Sequence, residues 1–115
     1  MSARILYIDD EEDLLEVISA FFEEEGMPIE TCSDLDSARR LITESSFDLI
    51  ISDLNMPSGN VFDLLAEVID AGLFSGKVAI ASGAVGEVPA LVDEVIHKPF
   101  DFEELLEKIK ILLSN

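Results

Sequence analysis

Short apolar runs without alternation, each followed by a segment of helical periodicity, constrain this chain more than any other feature of its sequence. Residues 3–8, ARILYI, form the first run and end at Asp9 and Asp10. A helix pattern follows, with Leu14, Leu15, Ile18, Phe21 and Phe22 on one stripe and acids opposite. Gly26 and Pro28 stop it. Residues 28–32 read as a second strand, after which Ser33 or Asp34 caps a helix carrying Leu35, Ala38, Leu41 and Ile42. Phe47 to Ser52 reads as strand three. Val61, Leu65, Val68 and Ile69 repeat at helical spacing and end near Gly72. Lys77 to Ala81 reads as strand four, and Val95 and Ile96 sit in a fifth. The last helix begins after Pro99, with Phe102, Leu105, Leu106, Ile109, Leu112 and Leu113 on its apolar face. Strands that are apolar throughout are buried on both faces, as in parallel sheets. About five strand-then-helix alternations therefore predict a doubly wound α/β domain.

Length and charge bound the function. The 115 residues suffice for one core, and residues 1–115 are expected to form a single domain with no output domain attached. Lys and Arg total 7 against 25 Asp and Glu, a formal net charge of -18. Such a polyanion is repelled by phosphate backbones and anionic bilayers. Direct nucleic-acid binding and membrane insertion are therefore not expected. The single cysteine, Cys32, excludes an internal disulfide and reads as a small buried apolar residue. The N-terminus lacks the basic-then-apolar pattern of a signal peptide, and no apolar run nears about 20 residues. A cytoplasmic protein is expected.

In an open parallel sheet, ligands bind outside the carboxyl ends of the strands. The residues directly after each strand are Asp9 and Asp10, then Asp53, then Ser82, then Lys98. Each has a plain reading alone. An Asp pair before a helix is often an N-cap, and Asp53 can cap a turn with Asn55. Ser82 can be a turn residue and Lys98 a solvated one. Together they place three acids, a hydroxyl and an ammonium on one edge. Three close carboxylates repel unless a cation intervenes, and hard oxygen ligands suit Mg²⁺. A lysine opposite them can bind a phosphoryl oxygen. These parts suit phosphoryl transfer, which depends on positioning and charge stabilisation, with Asp53 as a nucleophile forming an acyl phosphate.

Four segments, YIDDEEDL at 7–14, DLNMP at 53–57, AS at 81–82 and HKPF at 97–100, make the sequence resemble the receiver domain of two-component response regulators over essentially its whole length. The resemblance implies a flavodoxin-like, five-stranded parallel sheet of order 2-1-3-4-5. It implies Asp53 as phosphoacceptor for a sensor histidine kinase or phosphotransfer protein, and Mg²⁺ held by Asp10, by Asp9 through water, by Asp53 and by the backbone carbonyl of Asn55. It further implies Ser82 and Lys98 as contacts of the phosphoryl group, and a cis bond between Lys98 and Pro99. Such a domain catalyses only its own phosphorylation and dephosphorylation, and signals to a downstream protein by contact.

The chain departs from the family pattern in three places. Where the family usually has a glycine, four residues after the proline of DLNMP, stands Val61, with Gly59 two residues earlier. A differently shaped loop is expected there. The aromatic position three before the lysine is Val95, which has no large alternative rotamer to relay an event at Ser82. Residues 83–92, which hold Gly83, Gly86 and Pro89, are too few for a full helix, so helix four is expected to be shortened or absent. Ala84, two residues after Ser82, should leave water access to a phosphoryl group, so a modest phospho-lifetime is expected. Val95 and the short 83–92 segment favour a second reading, a pseudo-receiver acting as a phosphorylation-independent binding module, and the intact set Asp9, Asp10, Asp53, Ser82 and Lys98 argues against it. A phosphohydrolase is a poorer fit, because the residue two after Asp53 is Asn55, which cannot serve as an acid or base.

Overall fold

The computed structural model describes residues 3–83 and 86–114. Nine elements follow in the order β1 (Ile5–Ile8), α1 (Glu12–Glu24), β2 (Ile29–Cys32), α2 (Leu35–Glu44), β3 (Leu49–Ser52), α3 (Val61–Asp70), β4 (Lys77–Ser82), β5 (Glu94–His97) and α4 (Phe102–Ser114). The strands form one parallel sheet of order β2-β1-β3-β4-β5. This is the doubly wound arrangement that the alternating pattern predicts, in the flavodoxin-like order that the resemblance implies. Every residue of β1 and β3 is buried, as expected for strands covered on both faces.

Alternate residues of each strand feed two cores. Ile5, Tyr7, Leu49, Ile51, Ala79, Ala81 and Ile96 face α1 and α4. Leu6, Ile8, Cys32, Ile50, Val78 and Ile80 face α2 and α3. Cys32 is buried in the second core, as its composition-based reading holds. Phe22 is fully buried, while Phe21 and Phe102 pack against the first core from its margin, their rings 5.3 Å apart.

Helix boundaries follow their local chemistry. Asp34, one of the two residues read as a cap, accepts from the Ser37 N–H at 2.7 Å. α1 ends in paired bonds, Gly26 N–H to the Glu23 carbonyl and Met27 N–H to the Phe22 carbonyl, which satisfy carbonyls the helix leaves open. Strand boundaries shift by one or two residues from the sequence reading. β1 starts at Ile5 and β3 at Leu49 because Arg4 and Asp48 bond each other outside the ladder, Arg4 N–H to Asp48 Oδ2 at 2.8 Å and Asp48 N–H to the Arg4 carbonyl at 2.8 Å. β4 runs one residue further, to Ser82.

Between β4 and β5 the described residues contain no helix. Residues 86–93 instead cross the sheet as an irregular strap. Leu91 and Val92 pack on the α2/α3 core, and Asp93 fastens the strap at both its ends of bonding, its N–H to the Val78 carbonyl and its Oδ2 to the Val78 N–H, each at 2.8 Å. Four helices, not five, therefore surround the sheet among the described residues. The expectation about Ala84 falls outside the described residues. Among those described, no helix is long and apolar enough to cross a membrane.

Candidate functional site

Two ladder bonds carry the strand geometry one residue past β1 and β3. The Asp9 N–H donates to the Cys32 carbonyl at 3.1 Å, and the Asp53 N–H to the Ile8 carbonyl at 2.9 Å. Asp9 and Asp53 thus remain extended and in register when the apolar runs end. Asp9 is wholly buried and Asp53 is 8 % exposed. Charge at such depth needs partners, and each carboxylate has them.

Lys98 is the shared partner. Its Nζ lies 2.8 Å from Asp9 Oδ2 and 3.3 Å from Asp53 Oδ2, with Glu11 Oε1 at 4.0 Å. Its backbone is fixed by a bond from its N–H to the Ser82 carbonyl at 3.0 Å. The peptide bond to Pro99 is cis, as the resemblance implies. Burial pulls the Lys98 ammonium toward deprotonation, but the bonds and charges of Asp9 and Asp53 outweigh it and raise its pKa. The remaining oxygens are also engaged. Asp9 Oδ1 accepts from the Glu11 N–H at 2.9 Å, and Asp53 Oδ1 from the Asn55 N–H at 3.1 Å.

This geometry bears on both the plain readings and the joint one. The α1 N-cap is Glu11, which makes no side-chain cap, and the Asp9 bond to its N–H uses only Oδ1, leaving Oδ2 to Lys98. Asp10 is exposed, yet its carboxylate and those of Asp9 and Asp53 offer oxygens that all lie within 4.8 Å of one another. Three hard oxygen donors at that spacing fit Mg²⁺. Ser82 is 1 % exposed, and its Oγ is buried with no hydrogen-bond partner among the described residues. A buried hydroxyl left unpaired costs about 1–3 kcal/mol. All five strand-end residues, Asp9, Asp10, Asp53, Ser82 and Lys98, lie at the one carboxyl edge.

The loop after Asp53 turns tightly. Met56 and Gly59 close a tight turn by a single bridge, and Gly59 adopts φ +150°, a conformation that side chains disfavour. Glycine's freedom is used here, two residues before Val61, which starts α3 and is fully buried. Val95 is half-buried in β5, and His97, the sole histidine, is exposed at its end.

Tyr7 is the residue that sequence reasoning passed over. It lies two residues before Asp9 on the same strand face, wholly buried, and its phenolic oxygen has no partner among the described residues. Burial raises its pKa, and the charges of Asp9, Asp53 and Glu11 act in the same direction. The period-2 offset from Asp9 was the available signal.

Comparison with known proteins agrees with this geometry. The response regulator receiver domain family matches residues 5–110. The chain is similar to the transcriptional regulatory protein CpxR homolog of Haemophilus influenzae, with 30% identity over 98% of this chain and 51% of that protein. It is also similar to the regulatory protein VanRc of Enterococcus gallinarum, with 26% identity over all of this chain and 52% of that protein. The chain thus spans about half the length of the curated relatives it matches. Among solved structures, a CheY-like response regulator receiver domain protein from Methanospirillum hungatei matches with a TM-score of 0.87 and 27% identity, covering 99% of this chain and 95% of that one. The response regulator TrrA from Thermotoga maritima, solved in complex with Mg(2+)-BeF, matches with a TM-score of 0.82 and 30% identity, covering 96% of this chain and 99% of that one.

Proposed function

The chain belongs to the response regulator receiver domain family, and from that premise we propose that it accepts a phosphoryl group on Asp53 from a phosphohistidine of a sensor kinase or phosphotransfer protein. The observation that carries this reading is the Lys98 ammonium bridging Asp9 and Asp53 at 2.8 and 3.3 Å. A carboxylate oxygen of Asp53 forms the new P–O bond as the donor's P–N bond breaks, and the electron pair leaves with the imidazole nitrogen. Lys98 then turns to a phosphoryl oxygen, and Ser82 Oγ donates to another. Asp9, Asp10, Asp53 and the Asn55 carbonyl are the groups to hold Mg²⁺, which when bound offsets the charge gathered at the transferring group. Water attack on the phosphorus later restores the Asp53 carboxylate and releases phosphate, so the protein turns over only itself.

A protein partner has a surface to meet. Leu14, Pro99, Phe100 and Phe102 line a groove against Glu11 and Lys98, directly beside the acids. A second reading, the pseudo-receiver, is favoured by one observation: Val95 and the helix-free strap replace the parts that relay phosphorylation in the family.

Intact-mass spectrometry separates the two. With a small-molecule phosphodonor, one Mg²⁺-dependent phosphoryl adduct is expected on the wild-type chain and none on Asp53→Ala. No adduct under conditions that label another receiver domain would leave the pseudo-receiver as the reading.

A further inference from the structure

Tyr7 poses a physical problem that the proposed function does not absorb. Its ring lies in the α1/α4 core among Leu15, Ile18, Ile51 and Ala81, where phenylalanine would fill the same space. Its hydroxyl adds only a buried donor with no partner among the described residues, which is unfavourable. Buried polar groups in folded proteins are almost always paired, so an orphan calls for a partner in some other state of the molecule.

Register identifies that partner. Tyr7 pairs with Ile51 across β1 and β3, and two residues further along the two strands stand Asp9 and Asp53. A two-residue step keeps side chains on one face of the sheet, so the phenol lies one pleat beneath the two carboxylates. At rest each of these oxygens already accepts one bond from another donor. Asp9 Oδ1 holds the Glu11 N–H and Oδ2 holds Lys98, while Asp53 holds the Asn55 N–H and Lys98. One event changes this. When Lys98 turns to a phosphoryl oxygen, a wholly buried Asp9 loses the donor on Oδ2.

We propose that Tyr7 is a positioning residue whose phenolic O–H takes the Asp9 Oδ2 position that Lys98 vacates, directly or through one buried water. Two costs are then relieved together, the orphan donor of the resting state and the exposed lone pair of the loaded state. Tyr7 touches neither the phosphoryl group nor the acceptor. It acts by holding Asp9 in place while the site is occupied, and so links occupancy of the site to the core between α1 and α4. This inference rests on the proposed role of Asp53 and Lys98.

The chain has one tyrosine and no tryptophan, so its near-ultraviolet band reports Tyr7 alone. The test is difference absorption of the full chain without metal, with Mg²⁺, and with Mg²⁺ plus beryllofluoride as phosphoryl stand-in. Thermal midpoints of wild type, Tyr7→Phe and Asp53→Ala are read beside it. A red shift of the tyrosine band with Mg²⁺ and beryllofluoride is expected, absent from Asp53→Ala. Tyr7→Phe is expected to match or exceed the wild-type midpoint without ligand. Its apparent beryllofluoride affinity, read from the concentration dependence of the midpoint, should fall roughly five- to tenfold. An unshifted band in a wild-type chain that the ligands do stabilise would make Tyr7 a core residue only, as would wild-type affinity in Tyr7→Phe. A wild-type chain that neither ligand stabilises would instead overturn the proposed function, and the inference with it.

Discussion

Asp9 and Lys98 show how much of this site rests on single side chains. Asp9 is fully buried, and its side-chain bonds among the described residues are to the Glu11 N–H and to Lys98. Removing one partner of a buried pair strands the other charge, and the loss exceeds anything the pair contributed by attraction. Lys98→Met, which keeps the apolar stem, is therefore expected to destabilise the chain by about 3 kcal/mol at neutral pH. Asp53→Asn, which leaves Lys98 its bond to Asp9, should cost much less. Urea midpoints of the two variants check the ranking, and equal losses would contradict it. The residues of this site were legible because each lies within two residues of the end of an apolar run, where a parallel sheet opens to solvent. Tyr7 was not, because an aromatic inside an apolar strand is normally packing. Only its register beside Ile51 and the burial of its hydroxyl separate it from a phenylalanine.

Elements were legible in kind but not in extent. Apolar runs locate strands by burial, yet a strand begins where its ladder begins. Arg4 and Asp48, bonded to each other, decide that for β1 and β3 without any apolar signal. The strap between β4 and β5 was legible through Gly83, Gly86 and Pro89, which cannot make a stable helix in so few residues. What the sequence withheld was its fastening, because nothing local says that Asp93 will close both Val78 backbone groups. The entrance to β4 holds a second hidden constraint. A Cβ on Gly76 would lie 2.2 Å from the Asp48 carbonyl oxygen and 3.0 Å from the Phe74 ring. The Lys77 N–H bonds that same carbonyl at 2.9 Å, so the backbone cannot retreat without loosening β3 from β4. Gly76→Ala is expected to cost about 3 kcal/mol or more, the range of backbone-shifting overpacking. Gly86→Ala, with open space around its Cβ, should be nearly neutral in the same urea titration.

At the scale of the whole molecule, the fold and the charge pull in opposite directions. Two apolar cores close on one sheet, while a net charge of -18 favours expansion through self-repulsion. Fold class was readable because strands buried on both faces admit few other solutions, whereas the response of the whole chain to pH depends on burial that composition does not reveal. Three buried or half-buried groups are shifted in one sense. Burial, and then Asp34, push the Cys32 thiol up to about 12; burial raises Tyr7; and Asp9 and Asp53 raise Lys98 against burial. A raised folded pKa contributes stability that is complete below the unfolded value and is lost as pH climbs to the folded one. The unfolded values are about 8.5 for cysteine and about 10 or above for tyrosine and lysine. Stability should therefore begin to fall near pH 8.5, where the unfolded thiol ionises and the folded one does not, and fall more steeply above about pH 10. Cys32→Val removes only the first step. At fixed ionic strength, which holds screening of the net charge constant, its urea midpoint is expected to stay level to about pH 10 while the wild type declines from about 8.5. Parallel curves for the two proteins would mean that the Cys32 thiol titrates alike folded and unfolded, and that the groove lined by Cys32, Thr31 and α1 admits solvent to the sulfur.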